Sequence, residues 1–114
     1  MLALLLAALS LAAPVKPLPR ITPAEAAKHI GEQVIVQGTV DQIVLTVNLT
    51  THINFGGRYP NHVFTATIFK ARQSFFKGVK EYEGKVVQVR GLVHLYRGKP
   101  EIVLEEPEQL SPPD

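Results

Sequence analysis

Cysteine and tryptophan are absent from this 114-residue chain, and neither sign of charge dominates it. Without cysteine there is no disulfide scaffold, no thiolate zinc site and no cysteine nucleophile. Stability must come from an apolar core alone. The 12 Lys and Arg against 10 Asp and Glu leave a formal net charge of +2. That balance neither demands nor excludes a nucleic-acid partner, so any basic character has to be local. Serine is scarce too, with only Ser10, Ser74 and Ser111. None stands beside a histidine at a sharp turn, and no pair of carboxylates has a spacing suited to acid–base work. A catalytic centre is therefore not expected, and neither is a cofactor.

What is present begins with an apolar run. Residues 1–13 are almost wholly Leu and Ala. The run is shorter than the about 20 residues that span a bilayer and suits the apolar region of a secretory signal. Ser10-Leu11-Ala12 supplies small residues at the positions a signal peptidase inspects, so the mature chain is expected to start at Ala13 or Pro14 and to be exported, periplasmic or secreted. No stable membrane span remains after cleavage. Residues 14–20 hold three prolines and read as an extended linker. Thr22-Pro23-Ala24-Glu25 then opens a short helix with a capping box and proline at its first position. Ala26, Ala27 and Ile30 form its apolar side, and Gly31 ends it. The folded domain is expected over residues 21–110, with 111–114 a loose tail.

Alternation marks the strands. Residues 34–47 form a long first strand with Val34, Val36, Gly38 and Val40 inward, then Ile43, Leu45 and Val47. The parity change between Val40 and Ile43 calls for a β-bulge. Residues 51–55 place Ile53 and Phe55 inward. Residues 62–70 place Phe64, Ala66 and Ile68 inward. Residues 71–77 form a short helix or turn in which Phe75 or Phe76 plugs one barrel end. Gly84 leads into a fourth strand with Val87, Val89, Val93 and Leu95 inward. After a hairpin turn at Tyr96-Arg97-Gly98-Lys99-Pro100, the fifth strand buries Ile102 and Leu104. Five strands with a helical element between the third and fourth predict an all-β fold, the five-stranded Greek-key barrel of the oligonucleotide/oligosaccharide-binding (OB) type. The alternative, an SH3-like barrel, usually lacks an element of that size at that place.

Several stretches carry a resemblance to a known family. They are Ile21-Thr22-Pro23-Ala24-Glu25-Ala26-Ala27-Lys28-His29-Ile30-Gly31, Val36-Gln37-Gly38-Thr39-Val40, Asn54-Phe55-Gly56-Gly57-Arg58-Tyr59-Pro60, Phe64-Thr65-Ala66, Gly84-Lys85-Val86-Val87-Gln88-Val89-Arg90-Gly91 and Leu95-Tyr96-Arg97-Gly98-Lys99-Pro100-Glu101-Ile102. In these the chain resembles small bacterial OB-fold domains that occur alone behind signal peptides or attached to secreted nucleases. Such domains are described as nucleic-acid-binding. The resemblance implies binding and carries no nuclease activity onto this chain.

Reversing the parity yields the outward residues. They are Gln37, Thr39, His52, Asn54, Thr65, Thr67, Phe69, Gln88, Arg90, His94 and Tyr96. OB barrels bind ligands around their second and third strands, between the loops that follow strands one and four. Single strands are held there by aromatic stacking and a basic groove. The candidate nucleic-acid-binding residues are accordingly Arg58, Tyr59, Phe69, Tyr96, Arg97 and Lys99, with single-stranded DNA or RNA as ligand. A protein partner on the same face is the rival. Each residue also has a structural alternative: Phe69 under the N-terminal helix, Tyr96 packed at the hairpin start, and Arg97-Gly98-Lys99 as a solvated turn that discourages edge pairing. His52 and His62 flank the glycine turn but differ in parity, and no carboxylate shares their strand, so no metal site is expected.

Overall fold

The computed structural model describes residues 16–114. The expected signal at residues 1–13 and its cleavage site lie outside them. The strands are β1 (Arg20–Ile21), β2 (Gln33–Leu45), β3 (Thr51–Phe55), β4 (Phe64–Ile68), β5 (Val86–Leu92), β6 (His94–Tyr96), β7 (Lys99–Val103) and β8 (Leu110–Ser111). They hydrogen-bond in the order β6-β7-β4-β3-β2-β5-β8, and β1 joins β2 in parallel. The five principal strands, in chain order, are β2, β3, β4, β5 and β7. The helical connection falls between the third and fourth, so the barrel has the OB order.

The first strand bends where its parity breaks. The β2–β3 register shifts between Val40 and Gln42. Before the shift, β2 pairs with β5 from Gln33 to Thr39; after it, β2 pairs with β3. A bulge at this point lets one strand serve two walls of the barrel. Gly38 lies just upstream. A Cβ there would stand 2.5 Å from Pro23 Cγ, so the absent side chain admits the N-terminal helix against the wall. That helix, Pro23–His29, is 3₁₀ rather than α. Only Ala26 is buried in it, while Ala27 and Ile30 face solvent, so the apolar side expected there is one residue wide. Glu25 Oε1 accepts a hydrogen bond from the Thr22 amide at 2.8 Å, and this bond holds the carboxyl below its usual range.

The inward set is largely as the alternation requires. Val34, Val36, Val40, Ile43, Ile53, Phe55, Phe64, Ala66, Ile68, Val87, Val89, Val93, Ile102 and Leu104 are all buried in one cluster. Each Val, Leu, Ile or Phe among them contributes roughly 1.5–3 kcal/mol by leaving water. Phe76 rather than Phe75 closes the barrel end. Three residues expected inside are exposed: Leu45, Val47 and Leu95. β2 ends at Leu45, and residues 46–50 turn beyond the barrel rim. Leu95 sits in β6, the three-residue strand at the end of the strand order, which pairs with β7 alone. The connection between β4 and β5 is two 3₁₀ helices, Lys70–Phe75 and Val79–Tyr82. At the C-terminus, where a loose tail is expected, Ser111 pairs with Gln88, and Asp114 accepts from Arg20 at 2.9 Å.

Candidate functional site

The outer face of β3, β4 and β7 is not the open polar surface that parity predicts. Asn54, Thr65, Thr67 and Gln88 are buried, not exposed. Cross-strand register explains the first three. Gln42, Asn54, Thr65, Glu101 and His94 stand opposite one another on five successive strands. Their side chains bond in two groups, Gln42 with Asn54 and Thr65, and Glu101 with His94. Asn54 Nδ2 donates to Gln42 Oε1 at 3.0 Å, and Thr65 Oγ1 donates to Asn54 Oδ1 at 2.8 Å. The parallel pairing of β4 with β7 also brings Glu101, only 3% exposed, to Thr67.

Glu101 is the centre of a second chain of contacts. Its Oε2 accepts from Thr67 Oγ1 at 2.5 Å, and its Oε1 lies 2.7 Å from His94 Nε2. The Thr67 hydroxyl has one proton and gives it to Glu101. It therefore accepts from His52 Nδ1, 3.2 Å away. Burial disfavours the charged form of His52 and lowers its pKa, although the Glu101 carboxylate pulls the other way. The Thr65 and Thr67 hydroxyls thus each donate to a neighbouring strand, to Asn54 and to Glu101. Among the described residues no group of three or more His, Asp or Glu is arranged to hold a metal.

Sequence reasoning missed Glu101 and Gln42. Glu101 has the outward parity of β7, opposite to Ile102 and Leu104, and that was a usable signal. Its distance from Thr67 along the chain hid the contact, because parallel pairing has no local signature.

Five of the six candidate residues meet at one end of this face. Residues 56–63 form the loop after β3. Its Gly57 amide donates to Asp41 Oδ2 at 2.7 Å, its Tyr59 amide to Gln42 Oε1 at 2.8 Å, and Arg58 Nη1 to the Asp41 carbonyl at 3.3 Å. Gly57 has φ +125°, and a Cβ on it would lie 2.9 Å from the Asn61 carbonyl oxygen, so glycine is required here. The β6–β7 hairpin carries Tyr96, Arg97 and Lys99. Lys99 Nζ donates to the His62 carbonyl at 2.5 Å and ties the hairpin to the loop. Tyr59 stacks on His62 with ring centroids 5.9 Å apart, and Arg97 lies over Tyr96 at 5.2 Å. Tyr59, Tyr96, Arg58 and Arg97 are exposed.

His62 is buried beneath this cluster, and its Nδ1 has no hydrogen-bond partner among the described residues. Burial first, then the Lys99 ammonium and His52, lower its pKa. Each of these favours the neutral ring.

Phe69 does not join the cluster. It follows β4 and caps the Lys70–Phe75 helix, half-exposed at the opposite end of the face. Because Thr65 lies beside Glu101 in parallel strands, Lys99 is level with residue 63. Six residues of strand separate that level from Phe69, about 20 Å.

No protein-family profile and no curated protein matches the chain. Solved structures do. Three are OBodies, each bound to hen egg-white lysozyme. They superpose with a TM-score of 0.59 at 19%, 22% and 20% identity, covering 86%, 82% and 88% of this chain and 95%, 94% and 98% of theirs. At such identities the likeness establishes the fold, an OB barrel.

Proposed function

We propose that this barrel is a non-catalytic binding module that holds single-stranded nucleic acid weakly at the loop–hairpin end of its outer face. The observation that carries the reading is the Lys99–His62 link, which gathers Arg58, Tyr59, Tyr96, Arg97 and Lys99 in one place. Exposed Tyr59 and Tyr96 rings can each stack a base, worth about 1–3 kcal/mol per base. Arg58, Arg97 and Lys99 can meet phosphates. Affinity is modest because there are few cations and Lys99 is already engaged. The buried Glu101 carboxylate repels phosphates from the centre of the face, so the backbone of a bound strand runs past the hairpin and the bases lie over the ladder.

Arg97 adds support. It sits at φ +51° in the hairpin turn, followed by Gly98 at +81°. Asn or Gly fills that position at less strain. Retaining arginine there is consistent with a use for its charge.

A salt titration of binding to single-stranded DNA and RNA tests the reading. Replacing Arg97 and Lys99 by Ala is expected to weaken binding alike for all sequences. It should flatten the log–log salt slope by roughly 0.7 per lost phosphate contact. Phe69→Ala is expected to leave affinity unchanged. If the unmodified chain shows no salt-dependent affinity even at low ionic strength, the nucleic-acid reading fails. The second reading is then a protein partner on this face, which the OBodies bound to lysozyme favour. Export belongs to the same proposal and rests on the Leu- and Ala-rich residues 1–13. Mass spectrometry of an envelope fraction should find chains starting at Ala13 or Pro14, and an intact Met1 in a cytoplasmic pool would sink it.

A further inference from the structure

Four side chains on the outer face are joined across four strands, with a histidine at either end. His52 on β3, Thr67 on β4, Glu101 on β7 and His94 on β6 follow the strand order, with contacts of 3.2, 2.5 and 2.7 Å. Thr67 and Glu101 are buried, while both histidines are only half-buried. The face therefore has a low polar floor with a ring at each flank. Three strand spacings, about 14 Å, separate the flanks.

The floor fixes protons as well as positions. A carboxylate only accepts, so Glu101 takes the Thr67 hydroxyl proton on Oε2 and an Nε2–H from His94 on Oε1. Thr67 has then given away its one proton and is left to accept from His52 Nδ1. Burial lowers the pKa of His52 and favours its neutral ring. A neutral ring protonated on Nδ1 carries a bare lone pair on Nε2. That nitrogen has no hydrogen-bond partner among the described residues. The one buried side-chain atom left unpaired among them is His62 Nδ1, so Nε2 of His52 reaches solvent.

The position suits a base. Thr67 is level with Val103, four residues on from Lys99 and its hairpin, which is about 13 Å along the strand. An OB barrel holds about four or more nucleotides. A strand stacked on Tyr59 or Tyr96 thus carries its next bases over the floor. A lone pair beside a carboxylate attracts amino hydrogens and repels carbonyl oxygens. Cytosine, adenine and guanine each carry an exocyclic amino group. Uracil and thymine present a carbonyl oxygen on both sides of their single N–H.

Building on the nucleic-acid reading above, we infer that His52, held in one tautomer by Thr67 and Glu101, selects bases that carry an amino group over uracil and thymine. Two measurements test it, both at about pH 8, above the ordinary histidine value of 6.5. Long-range nitrogen–proton correlation spectra should show His52 protonated on Nδ1, and Thr67→Val should lose that signature. Anisotropy titrations with oligodeoxycytidylate and oligodeoxyuridylate of equal length isolate the group at C4 of the pyrimidine. The cytidylate is expected to bind about fivefold more tightly, the effect of one added hydrogen bond, with the same salt slope for both strands. His52→Ala should remove most of that preference, and Thr67→Val should narrow it. The half-buried His52 tolerates truncation, so the test stands even where Thr67→Val does not fold. Equal affinity for the two strands, with the salt slope present, overturns selection by His52 and leaves the nucleic-acid reading intact. An absence of affinity for either strand overturns both. A His52 ring protonated on Nε2 in the unmodified chain, or an undiminished preference in His52→Ala, also overturns the inference.

Discussion

Phe64 and His62 lie two residues apart and contribute to the protein in opposite ways. Phe64 is fully buried, with its ring centroid 5.4 Å from that of Phe55. Phe64→Ala is expected to cost about 3–5 kcal/mol in a denaturant melt. A loss below about 1 kcal/mol would mean that the side chain is not in the core. His62 is buried but polar, and its depressed pKa sets a pH dependence. Below the ordinary value of 6.5, the unfolded chain takes up protons that the folded ring resists. Stability is therefore full above that value and falls as pH drops toward the folded pKa. His52, also depressed, acts in the same direction. The melting temperature should fall between pH 7.5 and pH 5, and by less in His62→Gln. An unchanged pH profile in that variant would show that the unpartnered ring carries none of the effect.

Two elements convert a local conformation into a site. In β2, Gly38 leaves room for Pro23, and the following bulge turns the strand from β5 to β3. Gly38→Ala puts a methyl group into space that Pro23 occupies. We expect a loss of about 1–3 kcal/mol, with the N-terminal 3₁₀ helix becoming more accessible to protease. In the β6–β7 hairpin, Arg97 adopts positive φ at the end where a ligand is proposed to bind. Arg97→Gly should raise stability by about 1 kcal/mol while lowering single-strand affinity. A variant unchanged in both respects would show that the turn is indifferent to its occupant.

At the scale of the whole molecule one cluster unites every wall of the barrel. Its members run from Ile21 to Leu110. Unfolding should therefore be a single cooperative transition, with near- and far-ultraviolet circular dichroism tracing the same curve. Separate transitions would mean that the C-terminal strand or the N-terminal helix melts alone.

Period-two alternation was enough to place the five principal strands, most of their inward residues and the bulge, because side-chain parity is a local property of an extended backbone. The glycine turn and the last hairpin were legible for the same reason, since positive φ leaves its mark on nearby residues. Outward parity was not the same as exposure. Asn54, Thr65 and Thr67 are outward yet buried, because neighbouring strands bring Gln42 and Glu101 over them. Leu45 and Leu95 are inward by parity yet wet, because parity does not say where a barrel ends. Tertiary structure alone decided that Lys99 would reach His62, gathering the hairpin and the loop, and that Phe69 would stand at the other end. The parallel β4–β7 pairing set both outcomes, and it joins residues too far apart in the chain for local pattern to register.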